Sequence, residues 1–359
     1  MRRDRAMRSI PRWDRSDLTL SGERPNRVGG RWLAQADAFV SPEPVWNPPV
    51  RTVLAAVDGT PFGEHALPLA AEVARRAGAT LRVVHVVAAG ELAGEATRLR
   101  ADAKWVLDRR RRGEYLDGLV RRVTRAHALP VTGTLLDGAD VPETVSEASA
   151  GADLIVMATR DRGSWARFWW GSVTAAVARH ARCPVLLVRG RDNSPDLDAA
   201  RLPRDILVPL DGSERGEEAV RAALTLRFPA GTSYDLLHVV SAWSPSAFSM
   251  HGHGALTPLP GEMPEADARY YLHGVAAKLD RLGETATSSV VIDDRPVAVA
   301  IAGYAERTGA DLIALTTRGR GPLSRFFRAS VAEEVARRVG VPVLLTRARD
   351  TTRGPGTLG

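Results

Sequence analysis

A chain of 359 residues with 44% apolar and 25% charged residues reads as a soluble globular protein of about two domains, not as a fibrous or disordered one. No apolar run is long enough to cross a bilayer, and the Arg-rich start MRRDRAMRSIPRWDR lacks the apolar stretch of a secretory signal. The net charge of +7 is carried by Arg, since Lys104 and Lys278 are the only lysines.

Positive charge raises the question of nucleic acid, but the arginines are scattered among acids. The one dense run, Arg109 to Arg112 in WVLDRRRRGEYL, reads as a solvated helix face, so a nucleic-acid partner is disfavoured. One cysteine, Cys183, excludes an internal disulfide framework and makes the cytoplasm the expected location. It opens the apolar run CPVLLV and reads as a small core residue rather than a reactive thiol.

Residues 1–50 mix Pro, Arg, Gly and Trp without a helix or strand period and are expected to be a disordered arm. VLAAV then predicts a strand closed by the turn Asp58-Gly59-Thr60. Ala66, Leu69, Ala70 and Val73 share one helical face, and Gly78 marks the helix end. LRVVHVV is a second strand, followed by a long amphipathic stretch from Glu91 to Ala128. PVTGTLL, DLIVMA and PVLLV are the third to fifth strands, with helices over VPETVSEASAGA and from Ser172 to Arg182 between them. Apolar β-branched runs alternating with helices predict a parallel sheet covered on both faces, and right-handed crossovers make it doubly wound.

The pattern then repeats. RTVLAAVDGTPFGEHAL at Arg51 matches RDILVPLDGSERGEEAV at Arg204, and LRVVHVV matches YDLLHVV. GADLIVMATRDRG at Gly151 matches GADLIALTTRGRG at Gly309, and CPVLLVRG matches VPVLLTRA. The chain is therefore a duplication: a first domain over 51–190, a polar linker over 191–203, a second domain over 204–348 and a disordered tail over 349–359. The stretch from Ser241 to Ala266 after the second strand of copy two is expected to be a long loop.

In a doubly wound sheet, ligands bind beyond the carboxyl ends of the strands. Asp58 and Asp211 end the first strands, and the turns TRDRG and TRGRG end the fourth, so each pair converges on one crevice. Glycines let backbone approach an anion, helices starting at Ser172 or Ser330 offer free N–H groups, and Arg160, Arg162, Arg318 and Arg320 add charge. Glycine in a turn and serine at a helix start need no ligand, so the pattern by itself leaves phosphate binding open.

ILVPLDGSE, LHVV, ADLIALTTRGRGPLSR and VPVLLT, with VLAAVDGT, ADLIVMATRDRG and CPVLLVR in the first copy, resemble the universal stress protein family. The resemblance covers both domains and implies two open five-stranded parallel sheets of order 3-2-1-4-5, a nucleotide-binding α/β fold. It implies ATP, alone or with Mg²⁺, contacted by Ala56, Asp58, Pro209 and Asp211 at the first strands, with Val86 and Val239 lining an adenine pocket. The family's phosphate pattern, G-x2-G-x9-G-[S/T], falls on Ala158, Arg160, Asp161, Arg162, Gly163, Gly171, Ser172 and Val173 in the first copy. In the second it falls on Thr316, Arg318, Gly319, Arg320, Gly321, Ala329, Ser330 and Val331.

Neither copy is complete. Ala158, Thr316 and Ala329 add only small side chains, whereas Asp161 brings a carboxylate to where phosphates approach, so the second copy is the better expected site. The resemblance also implies pairing through the fifth strands, giving an intramolecular pseudo-dimer, with a homodimer as a further option. The aromatic pairs Trp169–Trp170 and Phe326–Phe327 suit either that interface or packing of the last helix.

No catalytic constellation is present: no Walker motif, no G-x-S-x-G elbow and no HExxH helix. His251 and His253 in MHGHG lack the further ligands a stable metal site needs. An adenylyl-transfer enzyme is disfavoured by the absence of its HxGH and Lys-rich signatures. Two readings stand: an ATP-binding stress-response regulator with at most slow hydrolysis, and a non-nucleotide interaction module.

Overall fold

The computed structural model describes residues 49–88, 98–159, 172–241, 265–317 and 331–347. The N-terminal arm before 49, the tail after 347 and the loop over 242–264 lie outside the described residues. The first domain runs β1 (Thr52–Val57), α1 (Pro61–Glu64), α2 (Leu67–Ala77), β2 (Thr80–Ala88), α3 (Arg98–His127), β3 (Val131–Gly138), α4 (Val141–Ala148), β4 (Leu154–Thr159), α5 (Ser172–His180) and β5 (Val185–Arg189). The second runs β6 (Asp205–Pro209), α6 (Glu218–Thr225), β7 (Ser233–Ser241), α7 (Glu265–Arg281), β8 (Thr285–Asp293), α8 (Val297–Thr308), β9 (Leu312–Thr317), α9 (Val331–Arg338) and β10 (Val343–Arg347).

The expected long loop of copy two is shorter at both ends. Ser241 closes β7, because it extends the ladder with β8 opposite Asp293, and Glu265 and Ala266 already belong to α7. Glu265 and Asp267 sit in the first turn of that helix, where the peptide dipole favours carboxylates. Local chemistry sets the other boundaries as read. Gly78 ends α2 in the left-handed region at φ 65°, and Asp140 caps α4 by accepting the Glu143 N–H at 2.8 Å.

Among the described residues, ten strands form one sheet in the order β3-β2-β1-β4-β5-β10-β9-β6-β7-β8. Within each domain the strands are parallel and ordered 3-2-1-4-5. The join is the antiparallel pair β5–β10, with Val343 opposite Leu187, Leu344 opposite Leu186 and Leu345 opposite Val185. Because that pair is antiparallel, the carboxyl ends of the two domains' strands point in opposite directions.

One face of the sheet is covered by α2, α3, α6 and α7, with Leu67, Leu119, Val220 and Leu272 in one apolar cluster. The other is covered by α4, α5, α8 and α9, with Val145, Val177, Ile301 and Val335 in a second. Each cluster contains residues of both domains, so the core runs through the join. Polar contacts add to it. Arg189, at the end of β5, donates through Nε and Nη2 to the Val339 carbonyl just past α9, at 3.0 and 2.6 Å. A cation there also suits the negative end of that helix. Arg179 and Glu333 pair across the same seam at 3.5 Å.

Leu344 is 1% exposed in the centre of the join. Leu344→Ala should lower unfolding stability by about 2–5 kcal/mol, the usual cost of a buried Leu truncation. Denaturant unfolding followed by Trp fluorescence measures it, and a loss below about 0.5 kcal/mol would mean the join carries little of the stability.

Candidate functional site

Each first strand runs into the same built turn. Asp58 Oδ1 accepts the Thr60 N–H at 3.0 Å and the Thr60 hydroxyl at 2.6 Å, and the Gly63 N–H donates to Thr60 Oγ1 at 3.4 Å. Asp211 Oδ1 accepts the Ser213 N–H at 3.0 Å and its hydroxyl at 2.5 Å, and the Gly216 N–H donates to Ser213 Oγ at 3.0 Å. The central glycines Gly59 and Gly212 have φ of +79° and +81°, a conformation that resists side chains. Gly63 and Gly216 are required for a different reason: a Cβ on either would press on the Asp carboxylate, at 2.7 Å from Asp211 Oδ1 in the second copy. Both Asp residues are exposed at the crest of the sheet, where a ligand or a metal ion could reach them.

A buried histidine backs each turn. His85 Nδ1 bonds the Val57 carbonyl at 3.0 Å, and His238 Nδ1 bonds the Leu210 carbonyl at 2.7 Å. A carbonyl only accepts, so Nδ1 carries the proton in both. Sequence reading passed over these residues, although the signal was there: His holds the same place in LRVVHVV and YDLLHVV. The surroundings of the two rings then differ. Arg112 Nη1 donates to His85 Nε2 at 3.1 Å. Aligning Tyr115 with Tyr271 puts Ala268 of α7 at the position of Arg112.

The run Arg109–Arg112 is therefore not a uniform solvated face. Arg112 reaches inward to His85, Arg109 pairs with Asp137 at the end of β3, and only Arg110 and Arg111 fit the solvated reading, Arg110 pairing locally with Glu114. The helix phase decides this, since α3 meets the sheet along Leu116, Leu119 and Val123, and Arg112 lies one turn before Leu116 on that side.

The topology brings the ends of β1 and β4 side by side, and likewise those of β6 and β9. Ala56, Val86, Val173 and Val239 pack on the face covered by α4, α5, α8 and α9, and Pro209 shares that side by alternation with Leu207. Ala158 and Thr316 fall on the opposite face. Leu154 and Val156 of β4 and Leu312 and Ala314 of β9 belong to the other cluster, and the Thr316 hydroxyl donates to the Gly216 carbonyl at 3.2 Å. Thr316 thus meets the Asp turn, and Ala158 holds the matching strand position in the first domain.

Ser172 opens α5, and Val331 opens α9 with its side chain exposed. Arg160, Asp161, Arg162, Gly163, Gly171, Arg318, Gly319, Arg320, Gly321, Ala329 and Ser330 lie outside the described residues, as do the Ser172 side chain, His251, His253 and the aromatic pairs.

The two crests also differ beside the turn. Phe62 of α1 is buried and lies against Gly190, past the end of β5, where any Cβ would strike its ring. The matching residue of the second domain is Arg215, which is exposed. Cys183, just before β5, has its thiol pushed up to about 12 by burial and then by Asp153, so it stays protonated near neutral pH.

Burial lowers the pKa of His238, opposed by its bond to the Leu210 carbonyl and by Asp211. Its folded value therefore lies below its ordinary value, and the unfolded chain takes up the proton first as pH falls below about 6.5. Stability from this group is full above that pH and is lost below it, until the folded value is reached. His238→Asn, whose amide can donate to the same carbonyl, should flatten the fall in denaturant midpoint between about pH 7.5 and 5.5. An unchanged slope would remove His238 as its source.

A family model described as the universal stress protein family matches residues 49–189 and 203–347. The universal stress protein Rv2623 of Mycobacterium tuberculosis is 27% identical over 300 residues, spanning 82% of this chain and 96% of its own. Universal stress protein Mb2028c of Mycobacterium bovis is 29% identical over 223 residues, spanning 61% of this chain and 70% of its own. Among solved structures, the crystal structure of a universal stress protein from Archaeoglobus fulgidus superposes with a TM-score of 0.60 at 18% identity, over 83% of this chain and 98% of that one, and so shares the fold. No helix among the described residues is long and apolar enough to cross a membrane. The duplicated sheet, the paired Asp turns and two matches of one family model give one conclusion: the chain belongs to the universal stress protein family, with two of its domains in tandem.

Proposed function

We propose that the protein is an ATP-binding stress-response regulator whose second domain holds the better nucleotide site. The observation that carries this reading is the tie between Thr316 and Gly216 at 3.2 Å. It fastens the Asp211 turn to the last residues of β9, the strand that the TRGRG sequence follows in the chain, which supports a site at this crest.

Two features support the second domain over the first, and a third element of the site is common to both. The loop of copy two carries Gly319 where copy one carries Asp161, which removes a like charge from the path of a phosphate. Arg215 stands exposed beside the Asp turn where copy one buries Phe62. The apolar wall is provided by Pro209 and Val239, with Val86 and Ala56 in the first copy. In this reading Asp211 meets the nucleotide or its Mg²⁺, Arg318 and Arg320 offset phosphate charge, and Ser330, the residue before α9 in the chain, donates to a phosphate oxygen.

Titration calorimetry with Mg-ATP tests this on the full chain. The unaltered protein should bind, and Asp211→Ala and Gly319→Asp should each weaken binding at least tenfold, about 1.4 kcal/mol. Asp58→Ala should change it little. No heat and no bound nucleotide in the unaltered protein would replace the proposal with the interaction-module reading.

A further inference from the structure

Beside each glycine that receives the Asp carboxylate stands a glutamate buried to 4% exposure: Glu64 after Gly63, and Glu217 after Gly216. A buried carboxylate is costly unless it is paired, and both are paired by the long helix that follows the second strand. The Tyr115 hydroxyl donates to Glu64 Oε1 at 2.9 Å, and Arg122 Nη2 donates to Oε2 at 2.8 Å. In the second domain Lys278 lies 3.5 Å from Glu217 Oε2. The buried Tyr271 hydroxyl sits beside the same carboxylate without a well-formed hydrogen bond. The partners match position for position, Tyr115 with Tyr271 and Arg122 with Lys278, each pair two turns apart on its helix.

The segment these glutamates anchor has little strength of its own. α1 is four residues long, a single turn that cannot stand as an isolated helix. Glu217 stands immediately before α6, at its N-cap position. His85 and His238 hold the carbonyl that precedes each Asp, and the glutamate fixes the chain that follows it. Each Asp turn is thus clamped on both sides, and on its later side the clamp is a carboxylate reaching α3 in the first domain and α7 in the second.

Resting on the nucleotide reading above, we propose that Glu64 and Glu217 are positioning residues: by tying the Asp58 and Asp211 turns to α3 and α7, they set the geometry in which the turn meets a nucleotide. The glutamates do not touch the ligand. They act through Gly63 and Gly216, whose bare α-carbons leave room for the Asp carboxylate.

The test compares Glu217→Ala, Glu217→Gln and Leu279→Ala in the full chain, at a temperature where circular dichroism shows all of them folded. Leu279 is buried on α7 and makes no polar link to the turn, so it reports loss of packing alone. With Mg-ATP as the probe, Glu217→Ala should weaken binding about tenfold, Glu217→Gln should restore it to within about threefold, and Leu279→Ala should leave it within about twofold. Unchanged binding in Glu217→Ala, or equal loss in Leu279→Ala, overturns the proposal. If the unaltered protein binds no Mg-ATP, the nucleotide reading fails separately, and amide hydrogen exchange then decides the positioning role. Exchange at Ser213 and Gly216 should speed up at least tenfold in Glu217→Ala and stay unchanged in Leu279→Ala. Unchanged exchange in Glu217→Ala rejects it.

Discussion

The antiparallel pairing of β5 with β10 is the constraint from which the rest of the architecture follows. Two parallel five-stranded sheets would each leave the fifth strand as an open edge. Pairing those edges merges the sheets and makes both apolar clusters continuous across the seam. It also fixes the directions of the two crests: the Asp58 and Asp211 turns lie at opposite ends of the strand axis, so neither can contribute residues to the other's site. Arg189 closes the seam by capping α9, which ties the last helix of one domain to the last strand of the other.

Within that symmetric frame the two copies have diverged where a ligand would act. Both keep the Asp turn, the histidine behind it and the buried glutamate beside it. The first copy surrounds them with Arg112 on His85, Phe62 over Gly190 and a tightly bonded Glu64. The second has Ala268, the exposed Arg215 and a longer Lys278–Glu217 contact. The first crest is the more filled and the more polar-bonded, and the second the more open. That difference agrees in direction with the loops, where the first carries Asp161 and the second Gly319.

Much of the fold was legible because periodicity and duplication speak to the same strands and helices. VLAAV, DLIVMA and PVLLV are short apolar runs bounded by turn residues, which favours buried strands over helices, and Gly78 marks a helix end by its conformation. The join was legible by resemblance, since fifth strands end each copy. Less legible were side chains that act across the fold. His85 and His238 look like ordinary strand residues until β1 and β2 are placed side by side. Glu64 and Glu217 look like solvated helix residues until α3 and α7 bring Tyr and a cation over them. The inward turn of Arg112 depends on the phase of a 30-residue helix against the sheet, which a run of four arginines does not reveal. The family pattern named Ala158 and Thr316 but not the tie of the Thr316 hydroxyl to the Gly216 carbonyl, which only the folded β9 and Asp211 turn bring together.

The central claim is that two domains alike in fold are unequal in binding. Native mass spectrometry of the full chain with Mg-ATP counts bound nucleotides directly. The account predicts one nucleotide per chain, kept in Asp58→Ala and lost in Asp211→Ala. Two nucleotides, or one that survives Asp211→Ala, would contradict it.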